Sequence, residues 1–176
     1  MKRTQNQTSF LSRGSSLHRC GAFLLLCTWG LSFSACPKPQ TLIPGTSIVA
    51  TEDNKEVIRR VEQYFQALQE RDIGKIVSMA HPSYQSNFGT TDPADDYNRV
   101  GMQKILEDRI PRVRSIQIQT KYKDVKIEGA RAVVRVRYNA HVQIATEQGD
   151  RFRDSQHDKE MVLQRDAGQW LFISGY

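Results

Sequence analysis

The chain has 176 residues, with 25 Lys and Arg against 19 Asp and Glu, a formal charge of +6 and a pI near 9.4. Taken whole, that balance would suit a nucleic-acid partner, but Lys2, Arg3, Arg13 and Arg19 lie in the first nineteen residues, which hold no acid. From Cys36 onward the chain keeps 21 basic and 19 acidic residues, and a charge of +2 gives no reason to expect nucleic acid.

After the basic start, Gly21 to Ser34 (GAFLLLCTWGLSFS) runs without a charge, and Ser34-Ala35 places small residues before Cys36. A basic region, a short apolar region and a small-residue cleavage site make a secretory signal. A cysteine at the cut resembles the lipobox of bacterial lipoproteins, in which that cysteine is acylated and becomes the first residue. The resemblance implies a signal peptide over residues 1–35, lipid attachment at Cys36 and the membrane of the cell envelope as a partner. Phe33 departs from the leucine usual three residues before the cysteine, and Leu31 stands two positions too early. Pro37, in place of the aspartate that retains lipoproteins at the inner membrane of enteric-type bacteria, favours the outer membrane by that analogy. Two alternatives stay open. An uncleaved anchor would have only the 16 residues from Cys20 to Ala35, short of the roughly 20 that cross a bilayer core. Ordinary secretion with cleavage nearby shares the compartment and lacks the lipid. Cys20 and Cys27 fall inside the removed segment, so the exported chain keeps one cysteine and forms no internal disulfide.

Residues 36–52 hold Pro37, Pro39 and Pro44 with little periodicity, and read as a tether to a single domain over 53–176. Asp53 or Asn54 can cap a helix in KEVIRRVEQYFQALQERD, where Val57, Val61, Tyr64, Phe65 and Leu68 form one apolar stripe. A second helix over IGKIVSMAH stops before Pro82, so the two form a hairpin around Arg71-Asp72. The polar stretch SYQSNFGTTDPADDYN reads as loops and turns. A third helix covers about Arg99 to Arg109. The period then changes to two. Ile116, Ile118 and Tyr122 alternate with polar residues. In the next strand Ala132, Val134, Val136, Tyr138, Ala140, Val142 and Ile144 oppose Arg131, Arg135, Arg137, Asn139, His141 and Gln143. Strands at about 153–165 and 169–175, joined at Asp166-Ala167-Gly168, complete an antiparallel sheet with one buried face. Helices first and strands afterwards is an α+β order.

With YFQALQERDIGKIVSMAHPSY at its front and GQWLFISGY at its end, this order resembles the NTF2-like superfamily. Members include ketosteroid isomerase, scytalone dehydratase and SnoaL-type polyketide cyclases. The resemblance covers about Asp53 to Tyr176. It implies a cone in which three N-terminal helices pack on a curved, mainly antiparallel sheet, with a pocket for a small hydrophobic ligand. Candidate pocket residues are Tyr64, Tyr84, Phe88 and Trp170. Ketosteroid isomerase moves a proton with a carboxylate and holds the oxyanion with a tyrosine and a protonated acid. Tyr64 falls where that family has its tyrosine, and Asp72 matches a structural turn aspartate. The base position falls on Phe88, between Asn87 and Gly89, and a phenyl ring accepts no proton. Loop gaps could bring Asp92, Asp95 or Asp96 closer.

Two functions therefore stand beside each other. One is a noncatalytic binding or assembly module on an envelope lipoprotein. The other is an isomerase, dehydratase or cyclase using Tyr64 and a loop aspartate. The aspartate cluster around Pro93 is read as turn chemistry, with no metal. His81 ends a helix, His141 lies on the polar strand face and His157 in a loop. With no HExxH pair, G-x-S-x-G turn or glycine-rich phosphate loop, neither metal nor other cofactor is called for. The row Arg135, Arg137, Asn139, His141 and Gln143 is expected on the outer sheet face, either solvated or as an interface with a second copy or an envelope protein.

Overall fold

The structure, a computed structural model, describes residues 40–86 and 96–175. Helix α1 (Glu52–Glu70) is capped by Thr51, whose hydroxyl accepts the Asn54 N–H at 3.1 Å. The cap thus lies ahead of Asp53 and Asn54, because the Asn54 side chain is occupied in donating to the Val49 carbonyl at 2.8 Å. That contact belongs to a feature within the stretch read as tether. Leu42 bridges Val49 across a turn at Pro44-Gly45, where Gly45 has φ +75°, and Ile48 is buried.

The stripe on α1 is buried as its spacing requires, with Val57 and Val61 sealed and Tyr64 and Phe65 nearly so. Arg71 ends the helix in the left-handed region at φ +59°, and Asp72 caps α2 (Ile73–Ser78) by accepting the Lys75 N–H at 2.9 Å. Helix α2 is shorter than its apolar pattern suggests because sheet bonds compete for the following backbone. Phe172 donates its N–H to the Met79 carbonyl at 2.9 Å, and its carbonyl accepts from the His81 N–H at 2.8 Å.

The minimal strands β1 (Gln85–Ser86) and β2 (Tyr97–Asn98) pair antiparallel. Asn98 then caps α3 (Arg99–Arg109), which has the expected bounds and passes through a 3-10 turn over Ile110–Arg112. The sheet follows as β3 (Val113–Glu128), β4 (Arg131–Thr146), β5 (Gly149–Asp166) and β6 (Gln169–Ser174), ordered β3-β4-β5-β6 and antiparallel throughout. Strand β5 starts four residues before the expected 153, and His157 lies within it and not in a loop. The last hairpin turns at Ala167 and Gly168, with φ +45° and +79°.

The α+β order holds, with the helices on one face of the sheet. On that inner face Ala132, Val134 and Val136 of β4, Met161 and Leu163 of β5 and Phe172 of β6 close over α1. Burying a side chain such as Leu163 or Phe172 contributes about 1.5–3 kcal/mol. Arg165 fastens the start of α1 to the sheet by reaching Asp53 at 2.6 Å and Glu56 at 3.3 Å. Past β6, Gly175 has φ +89°, and a Cβ there would collide with the Glu160 carbonyl.

Candidate functional site

The helices arise from sequence-local patterns, yet their packing leaves a gap. A cavity of about 250 Å³ lies among α1, α2, β2 and α3, with walls that include apolar Ile76, Met102 and Leu106, the rings of Tyr64 and Tyr97, and Arg109. Tyr97 reaches it because Gly101 of α3 has no side chain; a Cβ there would strike the Cβ of Tyr97. Tyr64 sits on the buried stripe of α1, its ring 5.2 Å from Phe65 and 5.5 Å from Phe172. The row of rings continues from Phe65 to Tyr138 at 5.2 Å and from Tyr138 to His157 at 5.1 Å. Burial raises the Tyr138 hydroxyl above its usual pKa. Tyr122 is raised further, chiefly by burial and then by the charge of Glu62.

Of the four residues proposed for a pocket, Tyr64 lines this cavity. Tyr84 is fully buried, its ring 6.2 Å from that of Tyr97. It supports a wall residue without lining the space. Trp170 belongs to a different cleft of about 240 Å³, shared with Glu56, Arg60 and Gln63 of α1. Its carbonyl accepts from Arg60 Nε at 2.7 Å, and the Arg165 guanidinium lies 4.5 Å from its ring centre. Phe88 lies outside the described residues, as do Asn87, Gly89, Asp92, Asp95 and Cys36. Asp96 is exposed just ahead of β2.

Phenol and guanidinium groups around an apolar space can orient a hydrogen-bond acceptor on a small apolar body. Proton abstraction needs in addition a base within reach of the reacting carbon. Among the described residues no carboxylate or imidazole lines the cavity. Also among the described residues, no group of three or more His, Cys, Asp and Glu is placed to hold a metal, and no helix is long and apolar enough to cross a membrane. His81 is committed to a turn, with Nδ1 2.6 Å from Ser83 Oγ and Nε2 3.8 Å from Asp166.

The polar row of β4 does come together on the outer face, and it meets a matching row on β5. Arg135 reaches Glu160 at 3.1 Å, and Arg137 holds both oxygens of Asp158 at 3.0 and 2.7 Å. Asn139 bonds Gln156 at 2.8 Å, His141 bonds Asp154 at 2.7 Å and Gln143 reaches Asp150 at 2.9 Å. The first four pairs are direct register neighbours. Lys123 of β3 adds a second cation to Asp158 at 2.6 Å. Hydrogen bonding from Arg137 first and Lys123 second holds the Asp158 carboxyl well below the usual range. The acids at alternate positions 154, 158 and 160 were the sequence signal for this arrangement.

The fold is NTF2-like. It resembles a ketosteroid isomerase-like protein from Erwinia carotovora atroseptica, with a TM-score of 0.60 and 13% identity over 71% of this chain and 94% of that one. A candidate scytalone dehydratase from Novosphingobium aromaticivorans gives 0.59 and 16% over 70% and 81%. A protein of the NTF2-like family from Streptomyces avermitilis gives 0.55 and 14% over 71% and 95%. No family model matches the chain, and no curated protein matches it. At such identities the likeness is one of fold, and one fold carries isomerases, dehydratases and noncatalytic members alike.

Proposed function

We propose that this chain is a cell-envelope lipoprotein, attached through acylated Cys36, whose NTF2-like domain binds a small hydrophobic ligand without transforming it. The observation that carries the binding role is the Tyr64 cavity, whose described walls join apolar side chains to phenol and guanidinium groups and include no carboxylate. The leader supports the anchor, since its basic start, uncharged run and Ser34-Ala35-Cys36 ending suit export and acylation. Pro37 favours the outer membrane.

Labelled fatty acid tests the anchor. The native chain takes up label and partitions with membranes, and Cys36→Ser does neither; label persisting in Cys36→Ser would overturn the lipid assignment. For the pocket, an apolar fluorescent probe binds the native chain, and Met102→Trp, which fills the space, weakens that binding at least tenfold. The rival reading is an isomerase, dehydratase or cyclase. It is favoured by the position of Tyr64 in the cavity wall, and turnover of a small ketone that disappears in Tyr64→Phe would establish it.

A further inference from the structure

Strand β5 sorts its charges by face. Outward lie Asp150, Asp154, Asp158 and Glu160, each bonded to a side chain of β4. Inward, on the side of Met161 and Leu163, lie Arg151, Arg153, His157 and Lys159. Opposite those four, β4 offers Ile144, Val142, Tyr138 and Val136, none of which carries charge. Arg151 reaches the Gln148 side chain at 2.8 Å, and His157 stacks on Tyr138. Among the described residues the Arg153 side chain has neither a hydrogen bond nor an ion pair.

The same stretch is a sheet edge. Strand β6 pairs with β5 from Val162 to Asp166 and Gly175 then lies against Glu160 and Met161, so among the described residues 149–159 have no neighbour strand on that side. Every second N–H and C=O there points away from β4. Such an edge invites another strand unless its side chains forbid one. Antiparallel pairing with a second copy keeps like faces together, so in any register arginine meets the inward cationic row and aspartate meets the outward acidic row. The outward row is already hydrogen-bonded by side chains of β4. On the inward side β4 sets only the apolar Ile144 and Val142 opposite Arg151 and Arg153.

We infer that the 149–159 edge of β5 docks an extended segment of another polypeptide carrying acidic residues at alternate positions. Added as a fifth strand, the segment bonds the free backbone groups and sets its acids beside Arg151, Arg153 and His157. This goes beyond the ligand reading and does not depend on the cavity.

The test uses the full chain in a zwitterionic detergent, with labelled ten-residue peptides as probes. Alternating Thr-Glu binds at least tenfold more tightly than alternating Thr-Lys or a block of five Thr and five Glu, and slows amide exchange along 149–159. Arg151→Glu/Arg153→Glu, checked for unchanged thermal stability, loses the Thr-Glu peptide and gains the Thr-Lys one. Several results would overturn the inference: no binding of Thr-Glu at millimolar concentration, equal binding of the block peptide, or exchange protection elsewhere. Protection of this edge by self-association, or by phosphatidylglycerol vesicles in preference to the peptide, would assign it to a second copy or to lipid instead.

Discussion

The outer and inner faces of β5 are built from alternate residues of one strand, yet they solve different problems. Outside, each acid has a basic or amide neighbour one strand away, which leaves the face polar and nearly neutral. Inside, the strand is core at Met161 and Leu163 and becomes cationic toward Gly149, beyond the stretch that β6 pairs. Composition alone therefore does not make a charged row an interface. Whether the adjoining strand answers the charge decides what is left for a partner.

Breaking the core end of the inner face should cost most. Leu163→Ala is expected to lose about 2–5 kcal/mol in urea unfolding, since the side chain is fully buried and its neighbours cannot collapse into the space. Next comes the clamp beside it. Arg165→Ala removes two ion pairs and a cation–π contact from a side chain one-third exposed, with an expected loss of about 1–2 kcal/mol.

The outer face is sharper in its pH dependence than in its size. Because the folded Asp158 carboxyl lies below the ordinary value of 3.8, its contribution is present above that value and is lost as pH falls through the lower folded one. Asp158→Asn should flatten the acid limb of a thermal stability profile, by less than the effect of Arg165→Ala at neutral pH. A limb unchanged by the substitution would mean that the Arg137 pair is not held in solution. The smallest effect belongs to the cationic stretch: Arg153→Ala should leave stability within about 0.5 kcal/mol, measured by urea unfolding. A larger loss would show a partner inside the chain and remove the contrast between the faces.

Periodicity made α1, α3 and β4 legible, because each buries one face against a continuous core. It failed where burial stops. The start of β5 has hardly any apolar residue to alternate, and only the change of charge sign between neighbours marks it as a strand. Met79 to His81 read as helix because their sheet bonds go to Phe172, far along the chain. Local caps were misplaced by a few residues for a similar reason, as Asn54 is claimed by Val49. For the site, Tyr64 was readable from its place on the α1 stripe. Tyr97 and Arg109 were missed, since it takes the packing of α3 to turn them toward one space. Nothing in the spacing of Trp170 could tell that it would stand over another cleft.

The clamp at Arg165 also fixes how the domain would carry a mechanical load. A pull on the chain ahead of Thr51 enters α1 at its first turn, where Asp53 and Glu56 hand it to β5. From there it runs along a strand bonded to β4 throughout its length and to β6 at its end. The first turn of α1 is thereby tied to a strand held by its neighbours, while the α1 residue that lines the cavity, Tyr64, lies further along the helix.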